Sequence, residues 1–290
     1  MDFHGNHVAL LTPFQNGKID WDSLESLVQR QIEGGVSGLV PCGTTGESPT
    51  LTHEEHNQVI SAVVKMASGR VPVIAGTGSN ATAEAIQSSR HAKENGASAL
   101  LIVAPYYNKP TQEGLYQHYL SLANSVDLPI MVYNIPGRSA VEISHETIVR
   151  LAEHENIASV KEATGNILHV SELKAATDLA ILSGDDALTL PMVALGAVGV
   201  VSVASNLLPE RMSTLVSKAL EGDFAGAQAI HDELFPLLSC LLSLATNPIP
   251  IKTALALLGW MEEEFRLPLL PMGADEKKIL AERIASLGIA

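Results

Sequence analysis

The sequence predicts an α/β protein, a (β/α)8 TIM barrel with a small C-terminal helical extension. Three observations lead there. Eight short apolar runs, rich in β-branched residues, alternate with longer stretches of helical period as far as Val203. Most of the runs give way to a cluster of Gly, Pro, hydroxyl or charged residues, the mark of a turn. From residue 207 onward no strand pattern recurs and only helical periods remain. Strand–helix alternation demands a parallel sheet with right-handed crossovers, and eight such units close a barrel. The runner-up, an open doubly wound sheet, has no convincing dinucleotide or Walker fingerprint behind it.

The expected strands are His7–Thr12, Gly38–Pro41, Val71–Ala75, Ala99–Ala104, Ile130–Asn134, Ile157–Lys161, Leu179–Ser183 and Val198–Val203. Between them, helices are expected over Trp21–Gly34, His53–Ser68, Thr82–Asn95, Gln112–Asn124 and Ser144–Glu153. Asp20 or Asp22, Thr52, Thr82 and Ser144 have the side chains that cap a helix N-terminus. Gly34-Gly35 and Asn95-Gly96 read as stops. After the eighth strand, Leu207–Leu220 completes the barrel, and Phe224–Leu242, Pro250–Leu258 and Asp275–Leu287 form the extension. The chain divides accordingly into a catalytic barrel, 1–222, and a C-terminal helical region, 223–290.

Composition narrows the function classes. The chain has 290 residues, 46% of them hydrophobic, enough for a barrel of about 250 residues plus an extension. A formal net charge of −14 with no basic stripe excludes a nucleic-acid binder. Two cysteines, Cys42 and Cys240, make no disulfide framework and fit a reducing compartment. No signal peptide is expected at the N-terminus, and the apolar runs break before the roughly 18 residues of a membrane span. The expectation is a soluble cytoplasmic protein.

In such a barrel, catalytic groups gather at the C-terminal ends of the strands. The second run ends in Cys42-Gly-Thr-Thr-Gly-Glu-Ser48, the third in Gly76-Thr-Gly-Ser-Asn80, the fourth in Pro105-Tyr-Tyr-Asn108 and the fifth in Tyr133-Asn-Ile-Pro-Gly-Arg138. The sixth ends in Lys161 and the seventh in Gly184-Asp-Asp186. An amine on the last rung of a buried strand has little water around it, which favours the free, nucleophilic form and Schiff-base chemistry. The alternative for Lys161 is a lysine that snorkels from a strand end. The Gly43–Gly46 turn offers N–H groups and two hydroxyls to a carboxylate, or is an ordinary glycine turn. Tyr107 and Tyr133 are proton relays or half-buried aromatics. Arg138 is a bidentate carboxylate clamp or a solvated arginine.

Other features carry less. His53-Glu-Glu-His56 lacks the spacing of the helical zinc-protease motif. Cys42 has no specific histidine partner and reads as a small buried residue. Asp185-Asp186 reads as strand-end capping before a divalent-ion site. Lys252 lies outside the barrel pattern and is a poor rival for Lys161, and Leu234–Leu244 reads as packing.

Taken together, Gly43-Thr-Thr-Gly-Glu47, Pro105-Tyr-Tyr-Asn108, Tyr133-Asn-Ile-Pro-Gly-Arg138 and Lys161-Glu-Ala-Thr-Gly165 resemble the dihydrodipicolinate synthase family of the pyruvate-dependent class I aldolase superfamily. Gln112–His118, Ser183–Asp186 and Asn247-Pro-Ile-Pro250 extend the likeness nearly end to end. The resemblance implies condensation of pyruvate with L-aspartate 4-semialdehyde in the diaminopimelate route to lysine, with a covalent lysine imine and no metal or organic cofactor. It implies that Lys161 forms the imine, and that Tyr133, Thr44 and Tyr107 relay protons, with Tyr107 donated across a dimer interface. Thr44 and Thr45 would hold the pyruvate carboxylate, Arg138 the semialdehyde carboxylate, and Gly184 and Val201 would line the pocket. The N-acetylneuraminate lyases resemble this pattern but usually have Ser-Thr in the glycine turn and no arginine at this place. Ser48, His53, His56, Asn80, Glu84 and Tyr106 resemble a feedback site for L-lysine, with Pro49 where the family often has alanine. The family implies a homotetramer, a dimer of tight dimers. The rival readings are an aldolase for a keto sugar acid and a catalytically silent binding barrel.

Overall fold

The computed structural model describes residues 1–289, and the eight expected strands form one parallel sheet. They are β1 Gly5–Ala9, β2 Gly38–Val40, β3 Ile74–Gly76, β4 Ala99–Val103, β5 Ile130–Asn134, β6 Ile157–Glu162, β7 Ala180–Ser183 and β8 Gly199–Ser202. The ladder runs β2-β1-β8-β7-β6-β5-β4-β3. A lone parallel bridge, Leu39 to Val73, joins its two ends and closes the barrel.

Two expected strands sit in shifted positions. The first begins at Gly5 and stops at Ala9, because beyond it Leu11 N–H donates to a side chain, Asn206 Oδ1, at 3.1 Å rather than to a neighbouring strand. The third begins at Ile74 rather than Val71, since Pro72 has no N–H to give a ladder. A small hairpin over Phe14–Gln15 and Lys18–Ile19 was not expected, although Asn16-Gly17 marks it: both residues have positive φ, 54° and 78°, as a tight hairpin turn requires.

Helices cover the sheet: α1 Trp21–Glu33, α2 His53–Ala67, α3 Thr82–Glu94, α4 Gln112–Ser125, α5 His145–Leu151, α6 Leu168–Ala176, α7 Thr189–Ala194 and α8 Pro209–Leu220. Asp20, Thr52 and Ser144 cap as expected, Thr52 reciprocally with Glu55. Thr82 does not. Ala81 is the capping residue of α3, its N–H already held by the Ser79 hydroxyl at 3.1 Å, and the Thr82 hydroxyl pairs instead with His118 Nδ1 at 2.9 Å.

Two apolar layers result. Ala9, Val40, Ile74, Leu101, Met131, Leu182 and Val201 fill the barrel interior with Phe3 and Tyr133. The outward faces of the strands pack on the helices in a larger shell. The extension comprises α9 Phe224–Ser243, α10 Ile249–Leu257 and α11 Ala274–Ser286. Leu234, Leu237, Leu238 and Leu241 are buried, so that leucine-rich stretch is packing. Among the described residues no helix is long and apolar enough to cross a membrane.

Candidate active site

Strand alternation points Ser159 and Lys161 of β6 to the same side. Lys161 is only 5% exposed, and its Nζ lies 4.3 Å from the ring centroid of Tyr133, its register neighbour on β5. Its other register neighbour is Leu182 on β7. Just beyond β7 stands Gly184, where a Cβ would come within 2.6 Å of Ala163 Cβ and 3.1 Å of Lys161 Cε. The glycine lets the backbone close over the lysine stem. Val201, on β8, is buried in the same interior layer.

The turn after β2 is built as tightly. Glu47 N–H donates to the Thr44 carbonyl at 3.1 Å. The Thr45 hydroxyl accepts from Asn247 Nδ2 at 3.0 Å. Arg138, on a helical turn over Pro136–Ser139, reaches back so that its Nη2 donates to the Asn247 carbonyl at 2.9 Å. Thr44, Tyr133 and Arg138 line a cavity of about 500 Å³. Ser48, Pro49, His53, His56, Glu84 and Tyr106 line the same cavity. Lys161, Thr45, Gly184 and Val201 do not form its wall; Lys161 meets it through Tyr133. Asn80 stands off the wall and ties the rim, its Nδ2 donating to the Tyr106 carbonyl at 3.0 Å. Glu84 is paired twice, with the Ser79 hydroxyl and with His53 Nε2 at 3.1 Å.

Tyr107 alone of the expected relay stays out of the site. It is 89% exposed, with φ of 76°, and does not reach the cavity of its own chain.

Charge in the neighbourhood follows burial. Burial pushes the Cys42 thiol up, which leaves it a poor nucleophile, as its sequence context suggested. Glu162 is held above the usual carboxylate range by burial, against hydrogen bonds from Thr164. Asp186 is pushed up to about 6 by burial, while its Oδ2 accepts from the N–H groups of Val203 and Ala204 at 3.0 and 2.9 Å. Asp185 accepts from Ala187 N–H at 2.9 Å, so both aspartates serve as capping groups. Among the described residues no three His, Cys, Asp or Glu side chains are disposed to hold a metal ion. Glu55 of the His53–His56 run instead takes both guanidinium nitrogens of Arg266 at 2.6 Å, which hold its carboxyl down to about 2.

Sequence reasoning missed three contributors. Asn247 joins Thr45 to Arg138, and Lys252 makes a fully buried ion pair with Glu47 at 2.5 Å. Arg266 locks the outer side of the same turn through Glu55 and the Thr50 carbonyl. A lysine two residues past a Pro-Ile-Pro run, as the one charged residue in a largely apolar stretch, is the available signal for the second.

Set beside known proteins, the chain matches the profile of the dihydrodipicolinate synthetase family over residues 2–287. It is 52% identical to the 4-hydroxy-tetrahydrodipicolinate synthase of Aquifex aeolicus over 283 residues, 97% of this chain and 96% of the relative. The chloride-inhibited dihydrodipicolinate synthase of Acinetobacter baumannii, solved with pyruvate, superposes with a TM-score of 0.97 at 43% identity over the whole of both chains. The enzyme of Cyanidioschyzon merolae, solved with lysine bound, superposes with a TM-score of 0.96 at 40% identity over 99% of each. With that breadth of match, and with Lys161, Tyr133, Thr44 and Arg138 gathered at one barrel mouth, the chain belongs to the dihydrodipicolinate synthetase family.

Proposed function

We propose that this chain is a class I aldolase-type lyase that condenses pyruvate with L-aspartate 4-semialdehyde to give 4-hydroxy-tetrahydrodipicolinate. The observation that carries the reading is a buried lysine amine set against a tyrosine ring, beside a cavity that presents a threonine turn and an arginine. The name of the Aquifex relative supports the product, and the pyruvate in the Acinetobacter structure supports the first substrate.

Pyruvate's methyl group is a poor carbon acid. Lys161 Nζ attacks its ketone, and loss of water leaves a protonated imine, an electron sink into which a methyl C–H bond can empty. The resulting enamine carbon attacks the semialdehyde carbonyl. The substrate's amine then adds to the imine carbon, closes the ring and releases Lys161. Each step moves a proton, and Tyr133, Thr44 and Tyr107 are the relay, each positioned acid–base group typically contributing about 10² to 10⁴-fold. Thr44 and Thr45 hold the pyruvate carboxylate, Arg138 holds the carboxylate of the semialdehyde, and Gly184 and Val201 shape the pocket. The covalent imine serves in place of a cofactor.

Tyr107 acts in this scheme from a neighbouring chain. Its 89% exposure supports that reading, as does its distance from the cavity of its own chain. The working assembly is a homotetramer of two tight dimers in the cytoplasm. The barrel, 1–222, holds the chemistry, and the helical region, 223–290, braces it. Ser48, His53, His56, Asn80, Glu84 and Tyr106 bind L-lysine as a feedback inhibitor. The carboxylate of Glu84 in the shared cavity and the lysine in the Cyanidioschyzon structure support this role.

Borohydride reduction in the presence of pyruvate, followed by peptide mapping, tests the first step. A pyruvate adduct on Lys161, absent in Lys161→Ala, is the expected result, and an unmodified Lys161 would overturn the scheme. Turnover with aspartate semialdehyde in a coupled assay, inhibited by millimolar lysine, separates it from a sugar-acid aldolase and from a silent barrel.

A further inference from the structure

The segment from Asn247 to Lys252 lies beyond the barrel, yet it meets the turn after β2 at two points. Lys252, on α10, is completely buried. Its Nζ donates to Glu47 Oε1 at 2.5 Å and lies 4.1 Å and 5.3 Å from the ring centroids of Phe14 and Phe265. Glu47 is 1% exposed and sits in the left-handed region at φ 52°, a conformation that a non-glycine residue holds only where its surroundings impose it. Its other oxygen accepts the Arg266 backbone N–H at 3.4 Å. Five residues before Lys252, Asn247 donates to the Thr45 hydroxyl and accepts from Arg138.

A buried ion pair is a weak stabiliser, because removing both charges from water offsets most of their attraction. What it does well is fix one geometry. Here it fixes the far end of Thr44–Glu47, while Asn247 fixes the middle and also holds the arginine. One short segment therefore sets the turn and Arg138 together.

We propose that Glu47 and Lys252 are positioning residues for the reaction: with Asn247 they hold the Thr44-Thr45 turn in the shape that receives the pyruvate carboxylate. This rests on the reading of that turn given above. Lys252 is thus a second functional lysine with no covalent role.

The double variant Glu47→Gln/Lys252→Met removes both charges without leaving one unpaired, and Asn247→Ala removes only the bond to Thr45. The expected result in each folded variant is a KM for pyruvate raised about tenfold; kcat changes less than about threefold in Asn247→Ala, which frees only Thr45, and falls as well in the double variant, whose turn also carries Thr44. Melting curves taken beside the kinetics identify any variant that fails to fold, and Glu47→Asp, which keeps both charges on a shorter arm, then decides for the pair. A pyruvate KM within about twofold of the parent in the folded variants overturns the proposal and makes the pair a structural strut only. Absence of a borohydride-trapped pyruvate on the parent enzyme itself would instead remove the reading of the site, and this proposal with it.

Discussion

Gly184→Ala makes the most direct test of how the barrel mouth is built. The added methyl would sit 2.6 Å from Ala163 Cβ and 3.1 Å from Lys161 Cε. Carbon atoms in contact rest about 3.5–4.0 Å apart, so about 1 Å of movement must be found. Ala163 belongs to the chain leaving β6, and Lys161 carries the amine proposed to form the imine, so either movement displaces that amine. A misplacement of about 1 Å costs on the order of 10²-fold in rate, and overpacking a tight site costs about 1–3 kcal/mol of stability. The expected outcome is a roughly hundredfold fall in kcat/KM for pyruvate and a matching fall in the rate of borohydride trapping, in a protein that still folds. The two readouts should fall together, since both report imine formation. A variant that keeps kcat/KM within about threefold of the parent would show that the loop yields freely and that Gly184 does not position the amine.

Three further outcomes follow from the site and its surroundings. Arg138→Ala should raise the KM for aspartate semialdehyde by about 2–3 kcal/mol worth of binding, one charge-assisted bidentate contact, and leave pyruvate trapping intact; loss of trapping would place the arginine elsewhere in the reaction. Lys161→Ala chains mixed with Tyr107→Phe chains should regain about a quarter of native activity, because only the mixed dimer then owns one complete site; no recovery would refute a tyrosine donated between chains. Burial holds His7 and His118 down to about 4, so the unfolded chain takes up protons below pH 6.5 while the folded chain does not. Stability is therefore lost as pH falls from 6.5 to 4, by about 3 kcal/mol for each imidazole, and Asp186, pushed up to about 6, returns part of it over the same range. Urea unfolding at pH 7.5 and 4.5 measures the net loss, and a protein more stable at the lower pH would refute the assignment.

The barrel was legible because its signals are local. Each strand is a short β-branched run followed by a turn, and each helix has an amphipathic face and usually a capping residue. That Lys161, Tyr133, Thr44 and Arg138 come together at one barrel mouth was legible for the same reason, since a strand's end and the turn after it can be read from the strand. The misplaced cap at Thr82 shows the limit: a hydroxyl at the right position was outbid by Ser79, and its own partner, His118, lies 36 residues away. The pairing of Glu47 with Lys252 spans 205 residues and could not be read at all. From local context, Lys252 was only a lysine outside the strands. Tyr107 stands outside its own chain's cavity, on a backbone turn with φ of 76° that no propensity rule anticipates.

The join between β2 and β3 is a single bridge, Leu39 to Val73, where every other neighbouring pair of strands shares two or more register positions. That seam lies just before Cys42 and Gly76 in the chain, which both line the cavity. When the cylinder breathes, it should part there first, with amide protons of Leu39 and its neighbours exchanging ahead of those on β5 and β6. The wall with the fewest stitches is thus the one that lines the cavity, while the wall bearing Lys161 is the most firmly sewn.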